Sequence, residues 1–227
     1  CDSLQVTMDL VSEKYSRANG LSYEQMDEVI NALSYNARRN AAKCERALLR
    51  TEFDELAREA GLGSGMEYLK SDYNPKISRY LRVYGFEATC DAAAAVIVCP
   101  TEMARQFKQQ PIEVLGIGLS TVNACTYDNE ERATAEALRQ VYEKTGVKPN
   151  ELDLLYVNDF AIPSQILASE LSGYVPQGQA WKYTLDGRFA YDGDRPINTG
   201  GGRTNGHAWA ASGLEDHFEA VMQMRGL

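Results

Sequence analysis

The pattern of hydrophobic and polar positions changes character near residue 88. Before that point, apolar side chains recur every three or four residues among charged ones, which is typical of helices with one buried face. After it, short apolar runs alternate with amphipathic stretches, which is typical of strands alternating with helices. The pattern therefore predicts a helical region at residues 1–88 and an α/β domain at residues 89–227.

Helical periodicity is clear in the first region. Residues 8–18 form one predicted helix, and residues 51–60 form another that ends at Gly61. Between them, Ser22 and Gln25 have the spacing of a capping box, in which each side chain binds the other residue's backbone N–H. A long amphipathic helix is predicted to follow this cap.

The second region contains three apolar runs of strand length. The strands are predicted at residues 92–99, 112–119 and 152–157. The helices are predicted at residues 101–107, 130–144, 162–171 and 209–225. Residues 173–196, rich in glycine and aromatic side chains, are predicted to form a long excursion from this alternation.

Composition and net charge limit the kinds of molecule that the chain is expected to bind. The formal net charge of −9 would repel a phosphate backbone, so we expect no nucleic-acid partner. No apolar run is long enough to span a bilayer, and no signal-peptide pattern is present, so a cytoplasmic location is expected. The five cysteines (Cys1, Cys44, Cys90, Cys99 and Cys125) lack the spacing of a disulfide framework or a zinc site, and no metal is expected.

The sequence from residue 198 to residue 213 contains the clearest candidate chemistry. Three consecutive glycines allow close approach of the backbone to a ligand or to another segment. They lead to His207, which stands just before a predicted helix. A histidine there can act as a base or donate a hydrogen bond to an oxyanion. On this pattern alone, a simple glycine-rich connection with a bystander histidine is equally compatible.

The order of several segments resembles that of thiolases, in particular the sterol-carrier and lipid-transfer branch. The family's Asn-x-x-Gly-Gly tract leading to Gly-His and Ser-Gly is matched here by Asn198, Gly201, Gly202, Gly206, His207, Ala211, Ser212 and Gly213. Three further segments resemble family elements in the same order. The entrance to the family's loop domain is similar to residues 8–39, and its Asp-Gly-Ala-Ala-Ala-Val strand is similar to residues 91–98. Its Asn-Glu-Ala-Phe strand is similar to residues 152–160. The resemblance implies the C-terminal half of a layered αβα thiolase fold with a helical loop domain.

Roles for individual residues follow from this resemblance. His207 matches the family histidine that activates the nucleophilic cysteine and binds the thioester oxygen. Asn158 matches the asparagine of a second oxyanion site, although a shifted frame puts Val157 there and makes Asn158 a turn residue that caps the next helix. The resemblance implies that substrate-pocket residues are Asn198, Gly201, Gly202 and Gly206. A structural role is expected for His217.

The sequence departs from the family in three places. Ala208 and Trp209 follow His207, where the family has proline. The N-terminal half, which supplies the nucleophilic cysteine, has no counterpart in this sequence, and the C-terminal Cys-x-Gly-Gly signature is also missing. We therefore expect the chain to need missing segments or another polypeptide: a thiolase-fold partner, a second copy, or the small OB-fold/zinc-ribbon protein that accompanies this branch.

The resemblance leaves three functions open. The first is thiolytic cleavage or Claisen condensation of a 3-oxoacyl-CoA, with coenzyme A as substrate and no cofactor. The second is retro-aldol cleavage of a 3-hydroxyacyl-CoA, for which Tyr183 and Tyr191 are candidate auxiliary acids. The third is a non-catalytic acyl-CoA-binding or structural subunit. Candidate contacts to coenzyme A are Arg38, Arg39, Lys43 and Arg46, which a solvated helix face explains as well.

Overall fold

The computed structural model describes residues 3–121 and 129–227, so Cys1 and Cys125 lie outside the described residues. Helices dominate the described chain. Their bounds are α1 Ser3–Asn19, α2 Tyr23–Lys43, α3 Phe53–Glu59, α4 Gly65–Lys70, α5 Thr101–Ala104, α6 Asn129–Thr145, α7 Ser164–Leu171, α8 Ala180–Leu185 and α9 Ser212–Met224.

Helix α2 begins with the predicted capping box. The Ser22 hydroxyl accepts the backbone N–H of Gln25 at 3.2 Å, and the Gln25 side chain accepts the backbone N–H of Ser22 at 2.8 Å. Two otherwise unpaired donors at the helix start are thereby satisfied. The apolar face of the helix is fully buried at Met26, Val29 and Leu33. The sequence prediction for this helix is confirmed.

The largest hydrophobic core joins α2 to the second half of the chain. Leu33 and Val29 share this cluster with Ile162, Phe189 and Ile197, all of which are buried. Burial of such side chains contributes roughly 1.5–3 kcal/mol each. The domain boundary near residue 88 stays a prediction, but the packing of apolar side chains crosses it.

The predicted strands differ from the structure. Residues 92–99 and 112–119 are extended but form no ladder, and residues 152–157 contribute one bridge, between Leu155 and Ile197. The prediction of laddered strands is therefore wrong for the described residues. A ladder needs a neighbouring strand to pair the backbone N–H and C=O groups, and an apolar run does not specify that neighbour. The layered αβα arrangement is only partly confirmed.

The segment at residues 112–119 packs against helix α6 on one face only. A Cβ at Gly118 would lie 2.0 Å from the carbonyl oxygen of Ala137, so glycine permits the close approach of α6. On the other face, Leu115, Ile117 and Leu119 are 65%, 72% and 80% exposed. This exposed apolar face differs from a normal buried strand, whose apolar side chains are covered on both faces.

The remaining helix predictions are confirmed with changes at their ends. Helix α5 is shorter than the predicted 101–107, and α9 is preceded by a 3₁₀ turn at Trp209–Ala211. The pattern did not predict α4, nor α8 within the expected excursion. Among the helices of residues 3–121 and 129–227, none combines the length and the apolar character needed to cross a bilayer.

Candidate functional site

A sharp turn at residues 198–206 delivers His207 to the site. Asn198 has a left-handed φ of 48° and is buried. Its side chain pairs with the backbone of Val157, donating from Nδ2 to the carbonyl at 3.0 Å and accepting the N–H at Oδ1 at 2.8 Å. Asparagine tolerates this φ better than most residues, and its amide substitutes for a missing strand partner. The asparagine thus fixes where the turn begins.

Two glycines of the turn allow tight packing. A Cβ at Gly201 would lie 2.5 Å from the Cβ of Ala41 on α2, and one at Gly202 would lie 2.2 Å from Oδ2 of Asp159. Gly206 is less crowded, because the nearest atom to a Cβ placed there would be the backbone nitrogen of Leu48, at 3.5 Å. Packing therefore explains Gly201 and Gly202 without a ligand. The role of these glycines and of Asn198 in substrate binding stays a prediction.

Asp159 is the buried acid beneath this turn. It is fully buried and accepts the backbone N–H of Arg203 and the side-chain N–H of Gln165, both at 2.7 Å. Burial raises the pKa of this carboxyl, and the hydrogen bond from Arg203 opposes that effect. The carboxylate anchors the 3₁₀ turn Arg203–Asn205, which immediately precedes Gly206 and His207.

His207 is held by its backbone and by its ring. Its N–H donates to the carbonyl of Ala88 at 2.8 Å, and its carbonyl accepts the N–H of Cys90 at 3.0 Å. The ring nitrogen Nδ1 contacts a carboxylate oxygen of Glu87. The Trp209 indole stacks on the imidazole with ring centroids 5.4 Å apart and planes inclined by 15°. The residue is 7% exposed, so the ring is buried and oriented.

The second ring nitrogen, Nε2, has no hydrogen-bond partner within the described ranges. A neutral imidazole with an accessible, unpaired ring nitrogen can accept a proton from a bound molecule. The role of His207 as the base stays a prediction.

Asn158 is exposed, and within the described ranges no hydrogen bond joins it to His207. Helix α7 begins at Ser164 after Pro163 without a side-chain cap. The alternative in which Asn158 caps this helix is therefore wrong. Val157, the residue of the shifted frame, is buried against Asn198. The oxyanion role of Asn158 stays a prediction.

The basic residues near α2 are engaged within the chain. Arg38 lies over the rings of Phe53 and Tyr84 and donates to the Asn205 side chain, and burial lowers its pKa to about 10. Arg39 pairs with Asp192 at 2.8 Å. The remaining pairs are Arg46 with Glu219 and Lys43 over the Tyr191 ring. These contacts favour structural roles over coenzyme A binding for Arg38 in particular.

Two of the described cysteines, Cys44 and Cys90, do not offer an activated thiol. Burial raises the pKa of both Cys44 and Cys90, which keeps them as thiols at neutral pH. Cys99 is half-buried in the extended segment. His217 donates from Nδ1 to the carbonyl oxygen of Gly213 on its own helix at 2.6 Å. In the described ranges, no cluster of three or more His, Cys, Asp and Glu could hold a metal ion.

A cavity of about 330 Å³ lies beside the glycine turn. Gly202, Gly206 and Cys90 line it, together with two ion pairs, Arg46–Glu219 and Arg203–Asp216. Asp91 and Glu215 also line the cavity, so its wall carries more carboxylates than guanidinium groups. Tyr183 and Tyr191, the candidate auxiliary acids, lie under Arg188 and beside Arg39. Neither tyrosine is among the residues that line this cavity.

Glu87 and Trp209 are the site residues that the sequence did not predict as functional. Glu87 lies 120 positions before His207 and belongs to no motif. Trp209 follows Ala208, which stands where the family has proline, and its backbone has a left-handed φ of 50°. Strained backbone of this kind is concentrated at functional sites.

Comparisons with known proteins show which families this chain is similar to. Residues 120–227 match the family described as thiolase C-terminal domain-like. An acetyl-CoA acetyltransferase of Methanothermobacter thermautotrophicus is 33% identical over 151 residues, which are 64% of this chain and 39% of that protein. Sterol carrier protein 2 of Bos taurus is 28% identical over 161 residues, which are 66% of this chain and 30% of that protein.

A solved structure has the same overall fold. The chain described as "Ltp2-ChsH2(DUF35) aldolase" matches with a TM-score of 0.72 and 18% identity, covering 96% of this chain and 54% of that one. This likeness supports a thiolase-type α/β fold and carries no argument about activity. The matched segments span well under half the length of both curated relatives.

Proposed function

Because the chain belongs to the thiolase superfamily, we propose that it is part of an acyl-CoA carbon–carbon bond enzyme in which His207 is the base. The reaction is thiolytic cleavage, or its reverse, Claisen condensation, of a 3-oxoacyl-CoA. The observation that carries the proposal is the Nε2 atom of His207, which has no hydrogen-bond partner among the residues that the structure describes. The imidazole stands at the end of the glycine turn, where the family histidine is expected.

The base has a defined task in thiolysis. His207 Nε2 takes the proton of a thiol, and the sulfur forms a bond to the C3 carbonyl carbon of the substrate. The C2–C3 bond breaks, its electron pair goes to C2, and the proton returns from the imidazolium to C2. General-base catalysis of this type contributes ~10²- to 10⁴-fold to rate.

The nucleophilic thiol comes from outside the described residues in this proposal. Cys44 and Cys90 are kept as thiols by burial, and neither hydrogen-bonds to Nε2 of His207. We propose that further segments, a thiolase-fold partner or a second copy supply it. A small OB-fold/zinc-ribbon partner is supported by the solved structure of like fold, whose description pairs the names Ltp2 and ChsH2(DUF35).

The second candidate is retro-aldol cleavage of a 3-hydroxyacyl-CoA. The raised pKa values of the Cys44 and Cys90 thiols favour it, since this reaction forms no acyl-enzyme. His207 would remove the proton of the C3 hydroxyl, and the C2–C3 bond would break. The electron pair would pass to C2 as a thioester enolate, which takes up the proton and leaves a carbonyl product and a shorter acyl-CoA.

Two substrates separate the candidates. The full chain, alone and with the proteins that co-purify with it, is incubated with a 3-oxoacyl-CoA plus coenzyme A, and separately with a 3-hydroxyacyl-CoA. We expect cleavage of the first and a loss of roughly 100-fold or more in His207→Ala. His217→Ala, the other histidine of the sequence, is the matched control and should keep full activity.

The pattern of results decides the function. Cleavage of the 3-hydroxyacyl-CoA alone would establish the lyase, and equal activity of His207→Ala would remove His207 as the base. Binding of acyl-CoA without turnover in every assembly would show a non-catalytic subunit. Trapping with an electrophilic acyl-CoA, followed by peptide mapping, identifies which polypeptide carries the nucleophilic thiol.

A further inference from the structure

We propose that Glu87 is the positioning residue of His207, holding its imidazole as the tautomer protonated on Nδ1. The inference rests on the proposed role of His207 as a base and adds the group that makes the base competent. It starts from the contact between a Glu87 carboxylate oxygen and Nδ1 of His207. The two side chains are 13% and 9% exposed, so little water competes for the contact.

The backbone on both sides fixes this contact. Thr89 and His207 form a parallel bridge, with hydrogen bonds from His207 to Ala88 and from Cys90 to His207. One residue before Glu87, Phe86 forms an antiparallel bridge to Ala161. The segment that carries Glu87 is thus paired to two different parts of the chain. These two bridges fix the position of Glu87 along the chain relative to His207, so the carboxylate is not carried on a flexible loop.

A carboxylate imposes one tautomer on its imidazole partner. An ionised carboxylate can only accept hydrogen bonds, so Nδ1 of His207 must be the donor. The lone pair of the neutral ring then lies on Nε2, the atom without a hydrogen-bond partner in the described part of the chain. In water, neutral imidazole side chains favour the opposite form, with the proton on Nε2. Glu87 therefore reverses the intrinsic preference in the direction that a base at Nε2 requires.

Trp209 restricts the same ring from its face. Its indole stacks on the imidazole at 5.4 Å, and its backbone adopts a φ of 50° to do so. The turn is held by the N–H of Ala208, which donates to the Ser212 hydroxyl at 2.9 Å. A left-handed conformation costs a tryptophan about 1–2 kcal/mol, which the local structure must offset. Glu87 thus constrains the edge of the imidazole and Trp209 constrains its face. Neither residue hydrogen-bonds to Nε2.

The test reads the tautomer directly. The sequence contains two histidines, so ¹⁵N–¹H correlation spectra of the imidazoles show two resolvable rings, with His217 as internal control. Glu87→Met keeps the side-chain length and removes the acceptor, whereas Glu87→Gln keeps an acceptor oxygen and removes the charge. We expect His207 to move to the Nε2-protonated form in Glu87→Met and to keep the Nδ1-protonated form in Glu87→Gln.

Activity provides the second readout. In the active assembly, Glu87→Met should lower kcat about 10- to 100-fold with little change in KM, as expected for a partner that orients another group. Glu87→Gln should recover most of this loss. Glu87→Ala is the replacement if the methionine variant does not fold, and circular dichroism checks each variant.

The two proposals fail in different ways. An unchanged His207 spectrum in a folded Glu87→Met or Glu87→Ala variant would overturn the positioning role, whatever the activity. A tautomer change together with full activity of His207→Ala would confirm the Glu87 contact and remove His207 as the base.

Discussion

Buried amide and carboxylate side chains hold the backbone around the candidate site. Asn40 donates to the carbonyl of Ile197 at 2.9 Å and accepts the N–H of Tyr191 at 2.7 Å. Asn205 donates to the carbonyl of Gly201 at 2.7 Å and accepts from the Arg38 guanidinium. Each of these contacts satisfies polar groups that would be costly to bury alone. The turn is therefore fixed by specific polar pairs as well as by apolar packing.

The buried carboxyl of Asp159 predicts a pH dependence of stability. Its pKa is raised by burial above the ordinary value of 3.8, so the folded chain binds this proton more tightly than the unfolded chain. The contribution to stability is therefore fully present below the unfolded pKa and is lost as pH rises through the folded pKa. Asp159→Asn, which does not ionise, should not show this loss.

Urea unfolding over a pH series measures the effect. We expect the free energy of unfolding of Asp159→Asn, relative to the natural chain, to increase with pH above about 3.8 and then level off. Asp153→Asn, at an exposed position, controls for the change in net charge. A difference that is constant over the pH series would contradict this explanation.

The glycine turn is the element that connects the buried acid to His207. Gly202 has a φ of 69° and no space for a Cβ beside Asp159. Gly187 has a φ of 71° and no atom within 4 Å of that position. The two glycines therefore share the backbone conformation and differ in packing. Comparing their alanine variants separates the cost of the left-handed φ from the cost of the clash.

We expect Gly187→Ala to destabilise the fold by about 1–2 kcal/mol, the cost of a left-handed φ. Gly202→Ala should cost a further 1–3 kcal/mol or so, because the added methyl must displace the Asp159 carboxylate. Chemical unfolding monitored by circular dichroism measures both values. Equal costs for the two variants would show that the turn relaxes away from Asp159.

At the scale of the whole molecule, exposed apolar side chains are concentrated on the two extended segments. Ile97 and Val98 are 83% and 81% exposed, and Leu119 on the other segment is 80% exposed. Neither segment has a strand paired with it among the described residues. Contiguous apolar surface of this kind marks association sites. The described chain thus has a face suited to pairing with further polypeptide.

We predict that the purified chain associates through this face. Sedimentation velocity over a range of concentrations should show species larger than the 25.2 kDa monomer. The double variant Ile97→Lys, Leu119→Lys should shift the distribution towards monomer, because charge on both segments opposes strand pairing. Leu10→Lys, at a 50% exposed position on α1, is the control and should leave the distribution unchanged. A monomer for the unmodified chain would contradict the prediction.

Helices whose signals are local could be predicted from the sequence. The capping pair of Ser22 and Gln25 and the apolar spacing of α2 lie within one stretch of chain, and both are confirmed. Amphipathic spacing predicted α6 and α7 for the same reason, with ends displaced by one or two residues. Helix hydrogen bonds join residues four apart, so the pattern that forms the element is contained in it.

Only the tertiary structure decided the strands and the surroundings of His207. An apolar run such as 112–119 carries no information about which neighbour pairs with it, since sheet hydrogen bonds are non-local. The family resemblance selected His207, but its contact with Glu87 spans 120 positions and has no local signal. The sequence therefore determined the helices with clear amphipathic spacing, and the family resemblance identified the candidate base. Packing decided which side chains orient that base, because contacts between distant residues form only when the chain folds.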